Sequence, residues 1–154
     1  MNSESCEKKS ILSGFSLANV RNRAGRAVMR TAALKKEGDQ MKVVHFDKAE
    51  TYEPEKDWKR VSLCGEKDVS VEYFVKPPEH ASPRHQHPSA QVTIVLKGKM
   101  IITTDDGSEE LGEGDAAYLP PNEPHVIKNA LTELSIGVDI FVPGRSFDFW
   151  LKRK

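Results

Sequence analysis

Along Glu133–Val142 apolar residues fall on every second position. Leu134, Ile136, Val138, Ile140 and Val142 share one face, and Ser135, Gly137, Asp139 and Phe141 share the other. A period of two predicts a β-strand. Shorter β-rich runs precede it at Val69–Val75, Gln91–Leu96, Met100–Thr104, Ala116–Leu119 and His125–Lys128, and turn clusters such as Pro77-Pro78, Lys97-Gly98 and Pro120-Pro121-Asn122 separate them. Asp106-Gly107, following Ile101-Ile102, is a strong hairpin signal. Short strands recurring every ~8–12 residues without a long helical period predict an all-β antiparallel sandwich or barrel. The first forty residues lack this texture. Ala18, Val20, Ala24, Ala27, Val28, Ala32 and Leu34 allow a weak helix over Ser16–Lys36, interrupted by Gly25.

Composition sharpens the division. The chain has 154 residues, 38% apolar and 30% charged, with 23 basic and 23 acidic side chains. The neutral total hides two unlike pieces, since residues 1–40 carry eight basic groups against four acidic and residues 41–154 carry 15 against 19. Neither the total nor the acidic larger piece suits a nucleic-acid or membrane-surface partner held by bulk electrostatics. No run approaches the ~20 apolar residues of a membrane helix. Cys6 and Cys64 are too few for a disulfide framework, and neither sits in a CxxC pair, so a reducing cytoplasm is the default expectation. Residues 41–154 are enough to bury a core for such a fold. Residues 1–40 admit three readings: a flexible leader, an Arg-rich targeting peptide that Glu4 and Glu7 count against, or sequence upstream of a true start at Met41.

Chemistry concentrates around the histidines His45, His80, His85, His87 and His125. His85 and His87 are two apart and share a face on extended backbone; Gln91 has the same parity. Two imidazoles and an amide oxygen form a mixed N/O donor set for a transition metal, with His125 the obvious further donor. An HxH pair alone is more often a solvated loop. The larger pattern is more specific: His85-Gln86-His87, Gln91 and Gly98 form one block, and Gly114, Pro120, His125 and Asn129 form a second.

These blocks resemble the paired motifs of the cupin superfamily over residues 60–142. The resemblance implies a double-stranded β-helix, a jelly-roll barrel, over residues 41–154 with a flexible extension before it. It also implies one divalent metal ion (nickel, zinc, manganese or iron) held by His85, His87, Gln91 and His125 inside one open end. Two positions depart from the family pattern. Asn122 stands where most members have Gly, and Asn is the next-best residue for a positive φ. Gln91 stands where most have Glu, and a neutral ligand leaves a metal more positive and a better Lewis acid.

The closing segment Leu134–Arg145 resembles the pectin-degradation cupins, which convert 4,5-unsaturated uronate monosaccharides to linear keto sugars. That family's Asp, Phe, Pro and Arg are matched by Asp139, Phe141, Pro143 and Arg145, and its metal-set Gln by Gln91. The resemblance implies a small sugar acid as partner, with Asp139 moving protons, Phe141 walling the ring and Arg145 holding the carboxylate. It further implies a homodimer, to which a strand over Met41–Phe46 could contribute. Alternation alone leaves the face of Asp139 open to water; the resemblance turns it inward. A non-catalytic small-molecule or sugar-binding cupin and a metal-dependent dioxygenase stay open as alternatives. Arg84 reads best as one half of an exposed ion pair, His45 and His80 as surface residues, Glu109, Glu110 and Glu113 as solvated, and Tyr118 and Trp150 as packing residues.

Overall fold

The computed structural model describes residues 40–152 and, before them, the strand residues Asn19–Arg21 and Ala27–Met29. The chain divides into two units, Met1–Lys42 and Val43–Lys154. In the first, β1 (Asn19–Arg21) and β2 (Ala27–Met29) pair antiparallel with Val20 opposite Val28. Strands therefore replace the weak helix expected across these positions. The β-branched Val20 and Val28 favour extended backbone. The rest of the expected leader lies outside the described residues.

The second unit is a jelly roll of nine strands among the described residues. β3 (Thr51–Glu55), β4 (Trp58–Gly65), β5 (Ser70–Lys76), β6 (Ala90–Lys97), β9 (Ala116–Leu119) and β11 (Ser135–Val142) form one sheet in the order β3-β4-β5-β11-β6-β9. The other sheet has the order β10-β7-β8, built from β7 (Met100–Thr104), β8 (Gly107–Leu111) and β10 (Val126–Asn129). Phe74 and Val95 of the larger sheet meet Met100, Ile102, Leu111 and Ile127 of the smaller in one buried apolar cluster. A short helix, α1 (Asp148–Leu151), follows β11.

The expected β hairpin is present, with Thr104 opposite Gly107. β3 and β4 were not legible as strands: β3 contains Pro54 and is almost wholly exposed at the sheet edge, and β4 carries Lys59 and Arg60 directly after its first residue, Trp58. Met41–Phe46 forms no strand; a 3-10 turn runs over Phe46–Lys48, and the Phe46 ring packs edge-on against Tyr73 at 5.0 Å. Two left-handed positions confirm the turn chemistry, since Gly98 has φ 81° and Asn122 has φ 63°. Asn129 ties the sheets together: fully buried, its Nδ2 points at the carbonyls of Lys76, Pro77 and Glu133, and its Oδ1 accepts from Leu131 N and Ser135 Oγ.

The larger sheet is polar inside and apolar outside. On β5 the buried residues are Ser70, Glu72, Phe74 and Lys76; on β6 Gln91, Thr93 and Val95; on β11 Ser135, Gly137, Asp139 and Phe141. The water-facing alternative for Asp139 is thereby overturned. The outer face carries cross-strand rows Tyr73–Val138–Ile94 and Val71–Ile140–Val92. Gly137 permits the inner packing, because a Cβ there would lie 2.5 Å from the Phe74 ring.

Lys76 lies within this interior, 2% exposed, with Nζ 3.5 Å from His80 Nδ1. Burial, reinforced by the Arg60 charge, pushes its ammonium down to about 7. The unfolded chain keeps this proton up to a pH near 10.5, so the folded state binds fewer protons between those values and stability rises with pH across that window. Compared with Lys76→Met, the wild type should gain up to ~4 kcal/mol between pH 7 and pH 10. The variant should be the more stable of the two at pH 6. Urea unfolding of both proteins at pH 6, 8 and 10 measures the difference; parallel profiles would contradict it.

Candidate metal centre

His85 and His125 face each other across an isolated antiparallel bridge. Their backbones exchange both hydrogen bonds, His85 N to His125 O at 3.1 Å and His125 N to His85 O at 2.9 Å. Directly paired residues project their side chains to the same side, so both imidazoles point the same way. Asn122 N donates to His87 O, which zips the Pro120–His125 turn onto the HxH segment. The side-chain nitrogens of His85, His87 and His125 that converge here lie within 4.8 Å of one another. The HxH segment is not a continuation of β6, yet Gln91 joins the cluster, with Oε1 2.9 Å from His87 Nε2.

Each imidazole is oriented by the carbonyl of a residue two positions away. His85 Nδ1 lies 2.9 Å from Pro83 O, His87 Nδ1 2.8 Å from Ser89 O, and His125 Nδ1 2.7 Å from Glu123 O. A neutral imidazole donating through Nδ1 presents a bare lone pair at Nε2, the form a metal requires. Burial pushes His85 down to about 4 despite its bond to Pro83, and the neighbouring imidazoles add to the shift. Burial likewise lowers His125. His125 Nε2 is sealed from solvent and has no hydrogen-bond partner among the described residues. An orphaned buried nitrogen facing two further imidazoles is costly unless a cation takes its lone pair.

The amide of Gln91 is oriented from behind. Its Nε2 donates to Asp139 Oδ1 at 2.9 Å and Thr93 Oγ1 at 2.8 Å, and Thr93 in turn donates to Asp139 Oδ1 at 2.6 Å. With the NH2 group committed to these acceptors, the carbonyl oxygen must face His87. Asp139 Oδ2 accepts from Arg60 Nη1 at 2.6 Å. Burial would raise the Asp139 carboxyl, but the Arg60 charge and the Thr93 hydroxyl hold it below its ordinary value, so it stays anionic. This accounts for Gln in place of Glu: a second carboxylate at position 91 would put its outer oxygen against that of Asp139, and like charges so close cannot both ionise.

Phe141 is fully buried, edge-on to the His87 ring at 5.3 Å. Arg145 lies with its guanidinium 3.7 Å from the Phe141 ring centre, and its Nε and Nη2 grip both oxygens of Glu72 at 2.8 and 2.9 Å. Glu72 also accepts from Arg60 Nη1 and Trp150 Nε1. Beyond the imidazoles opens a cavity of about 650 Å³, lined by His85, Gln86, His87, Arg145, Phe149 and Lys152 among others, a size that suits a small-molecule ligand.

The structure thus brings His85, His87, Gln91, His125, Asp139, Phe141 and Arg145 into one region. Arg84 pairs with Asp105 at the surface, and Trp150 packs. Tyr118 does not pack, being 64% exposed, because its position on β9 faces outward. His80 is half-buried rather than superficial, stacked 5.0 Å from Trp58. Sequence reasoning missed Arg60 and Glu72, which sit at inward positions of strands whose polar face is the inner one.

Residues 72–141 match the family described as Cupin domain. H2HPP isomerase of Bacillus subtilis is 32% identical over 80 residues, 51% of this chain and 33% of that protein, so the chain spans about a third of that relative's length. Among solved structures, KdgF from Halomonas sp. superposes with a TM-score of 0.63 at 20% identity, covering 71% of this chain and 99% of the other. An RmlC-like cupin from Shewanella frigidimarina gives 0.62 at 22% identity, covering 71% and 96%. The fold is that of the cupins.

Metal titrations of the purified protein, followed by calorimetry and elemental analysis, should find one divalent ion per chain. His125→Ala should abolish binding. Asp139→Ala, which touches no donor nitrogen but frees the Gln91 amide to turn, should weaken binding ~10–100-fold. Unaltered affinity in Asp139→Ala would show that Gln91 is not oriented from behind.

Proposed function

We propose that this chain is a metal-dependent enzyme that opens and isomerises a small sugar acid, with 4,5-unsaturated uronate monosaccharides as substrate and linear keto sugars as product. The observation that carries the reading is the neutral donor set: three imidazole nitrogens and an amide oxygen, with that oxygen turned toward His87 by Asp139 and Thr93. His85, His87, Gln91 and His125 would hold a divalent ion without neutralising its charge, and it would supply Lewis acidity toward a substrate oxygen. The relative from Bacillus subtilis is named as an isomerase, a reaction class that rearranges bonds and protons without net oxidation. Asp139, Phe141, Pro143 and Arg145 match the pattern of the pectin-degradation cupins.

In this reading the residues divide the work. Asp139, anionic and charge-paired, fixes Gln91 and is the carboxylate to which this reading assigns the proton transfer. His87 lines the cavity, and the fully buried Phe141 backs its ring as a rigid apolar support. Arg145 and Lys152 line the cavity, Lys152 paired there with Asp148, so Arg145 is the cation this reading assigns to the substrate's acid group. Glu72 holds Arg145 in place through two of its N–H groups, and Nη1 has no partner among the described residues.

We further propose a homodimer formed on the outer face of the larger sheet. The rows Tyr73–Val138–Ile94 and Val71–Ile140–Val92 make a continuous apolar surface of the kind that marks an interface. Val138→Lys should convert the dimer to a monomer in sedimentation experiments without unfolding it.

The activity is tested by incubating metal-loaded protein with a 4,5-unsaturated uronate and following loss of the double-bond absorbance in the ultraviolet. Wild type should consume the substrate, and Asp139→Ala and His125→Ala should each lose at least 100-fold. Saturable binding without absorbance loss would favour the sugar-binding alternative, and oxygen uptake would favour a dioxygenase.

A further inference from the structure

Two arginines lie beside the candidate centre, and they use their guanidinium groups differently. Arg145 commits its Nε/Nη2 edge to Glu72. Arg60 does the opposite: its Nη1 alone bonds Glu72 Oε2 at 3.2 Å and Asp139 Oδ2 at 2.6 Å. Its Nε–H is buried with no acceptor, and no protein acceptor among the described residues faces its Nη2. The Nε/Nη2 edge is the one that forks onto a carboxylate through two parallel hydrogen bonds. In Arg60 this edge is free while the rest of the group is clamped, with the guanidinium 4.8 Å from the ring centres of both Phe74 and Trp150.

The surroundings suit an occupant of one size. Arg60 lines a small chamber of about 40 Å³ together with Ser82, Pro83, His85, Phe149 and Trp150. A water needs ~10–15 Å³ of such space, so the chamber takes about three heavy atoms, the size of a carboxylate head. A sugar ring does not fit. His85 and Phe149 line this chamber and also the 650 Å³ cavity over the imidazoles. An acid group at Arg60 and a ring in the larger cavity would therefore be separated by the side chains of two residues only.

We infer that the Nε/Nη2 edge of Arg60 is a preformed carboxylate-binding fork beside the candidate metal centre. That the carboxylate belongs to a sugar acid rests on the function proposed above; the fork itself does not.

Metal-free protein titrated with sodium acetate, against sodium chloride at equal ionic strength, tests the fork by calorimetry and by the combined emission of Trp58 and Trp150. Acetate should bind saturably and chloride should not. Arg60→Lys keeps the charge that Glu72 and Asp139 need and loses the fork; it should weaken acetate at least tenfold. Ser82→Thr keeps the hydroxyl that accepts from Ile127 N and adds a methyl to the chamber. It should abolish acetate binding, and it decides the matter if Arg60→Lys does not fold. Absence of saturable acetate binding to the wild type, or unchanged affinity in the folded variants, would overturn the inference. Metal affinity is measured on the same samples: protein that binds metal but not acetate loses the fork alone, and protein that binds acetate but no metal loses the metal reading alone.

Discussion

The ion pair between Arg60 and Asp139 is the contact on which the interior depends. Two charges taken out of water are costly, and they persist only where each lone pair and proton is matched. Asp139 meets that condition with Arg60 on one oxygen and Gln91 and Thr93 on the other. Glu72 meets it with Arg60, Arg145 and Trp150. Once Asp139 is fixed as an anion, the Gln91 amide has one satisfactory orientation, and its oxygen faces His87. The geometry at the imidazoles is thus set by a charge one layer further in. Losing either member of the pair would leave the other buried and unpaired, which is far more damaging than losing a surface pair.

The same constraint explains the inversion of the larger sheet. A small barrel with an apolar interior could not solvate or orient a donor set, whereas one lined with Ser70, Glu72, Lys76, Gln91, Thr93 and Asp139 can hold polar groups in fixed directions. The apolar cluster that stabilises the fold is confined to the end where Phe74 and Val95 meet the smaller sheet. Stability and chemistry occupy different ends of one barrel, and Phe74 touches both through the guanidinium of Arg60.

Much of this was legible from the chain alone, and the reasons are physical. Alternation locates a strand because the side-chain period is two, so β5, β6, β7, β9 and β11 stand out. The His85–His87 pair, Gln91 and His125 are recognisable because metal donors are few in kind and their spacing is tied to strand and turn geometry. Alternation does not say which face is buried, and hydrophobicity misleads when the interior is polar. Leu134–Val142 would conventionally turn Ile136, Val138 and Ile140 inward, and it does the reverse. Arg60 and Glu72 were invisible for the same reason: a charged residue on a strand looks solvated until its partner, Asp139, far along the chain, is placed opposite. β3 escaped notice because an exposed edge strand with a proline has no hydrophobic period to read.

Net charge is the coarsest signal, and the structure shows how little it says about a site. Residues 41–154 hold 15 basic and 19 acidic side chains, a balance that by itself would repel an acid. The acidic excess is peripheral, carried in part by the exposed Asp105, Asp106, Glu109 and Glu110 around the β7–β8 hairpin. Around the imidazoles the nearby charges are Arg60, Arg145, Lys152 and their partners, and screening over about 8–10 Å in ordinary salt hides the distant acids from a ligand in the cavity. An acid held in this region would therefore depend on which cations keep an edge free. Arg145 spends one edge on Glu72 and Lys152 pairs with Asp148 on the surface, but Arg60 is held at a corner, leaving its two-pronged edge unspent.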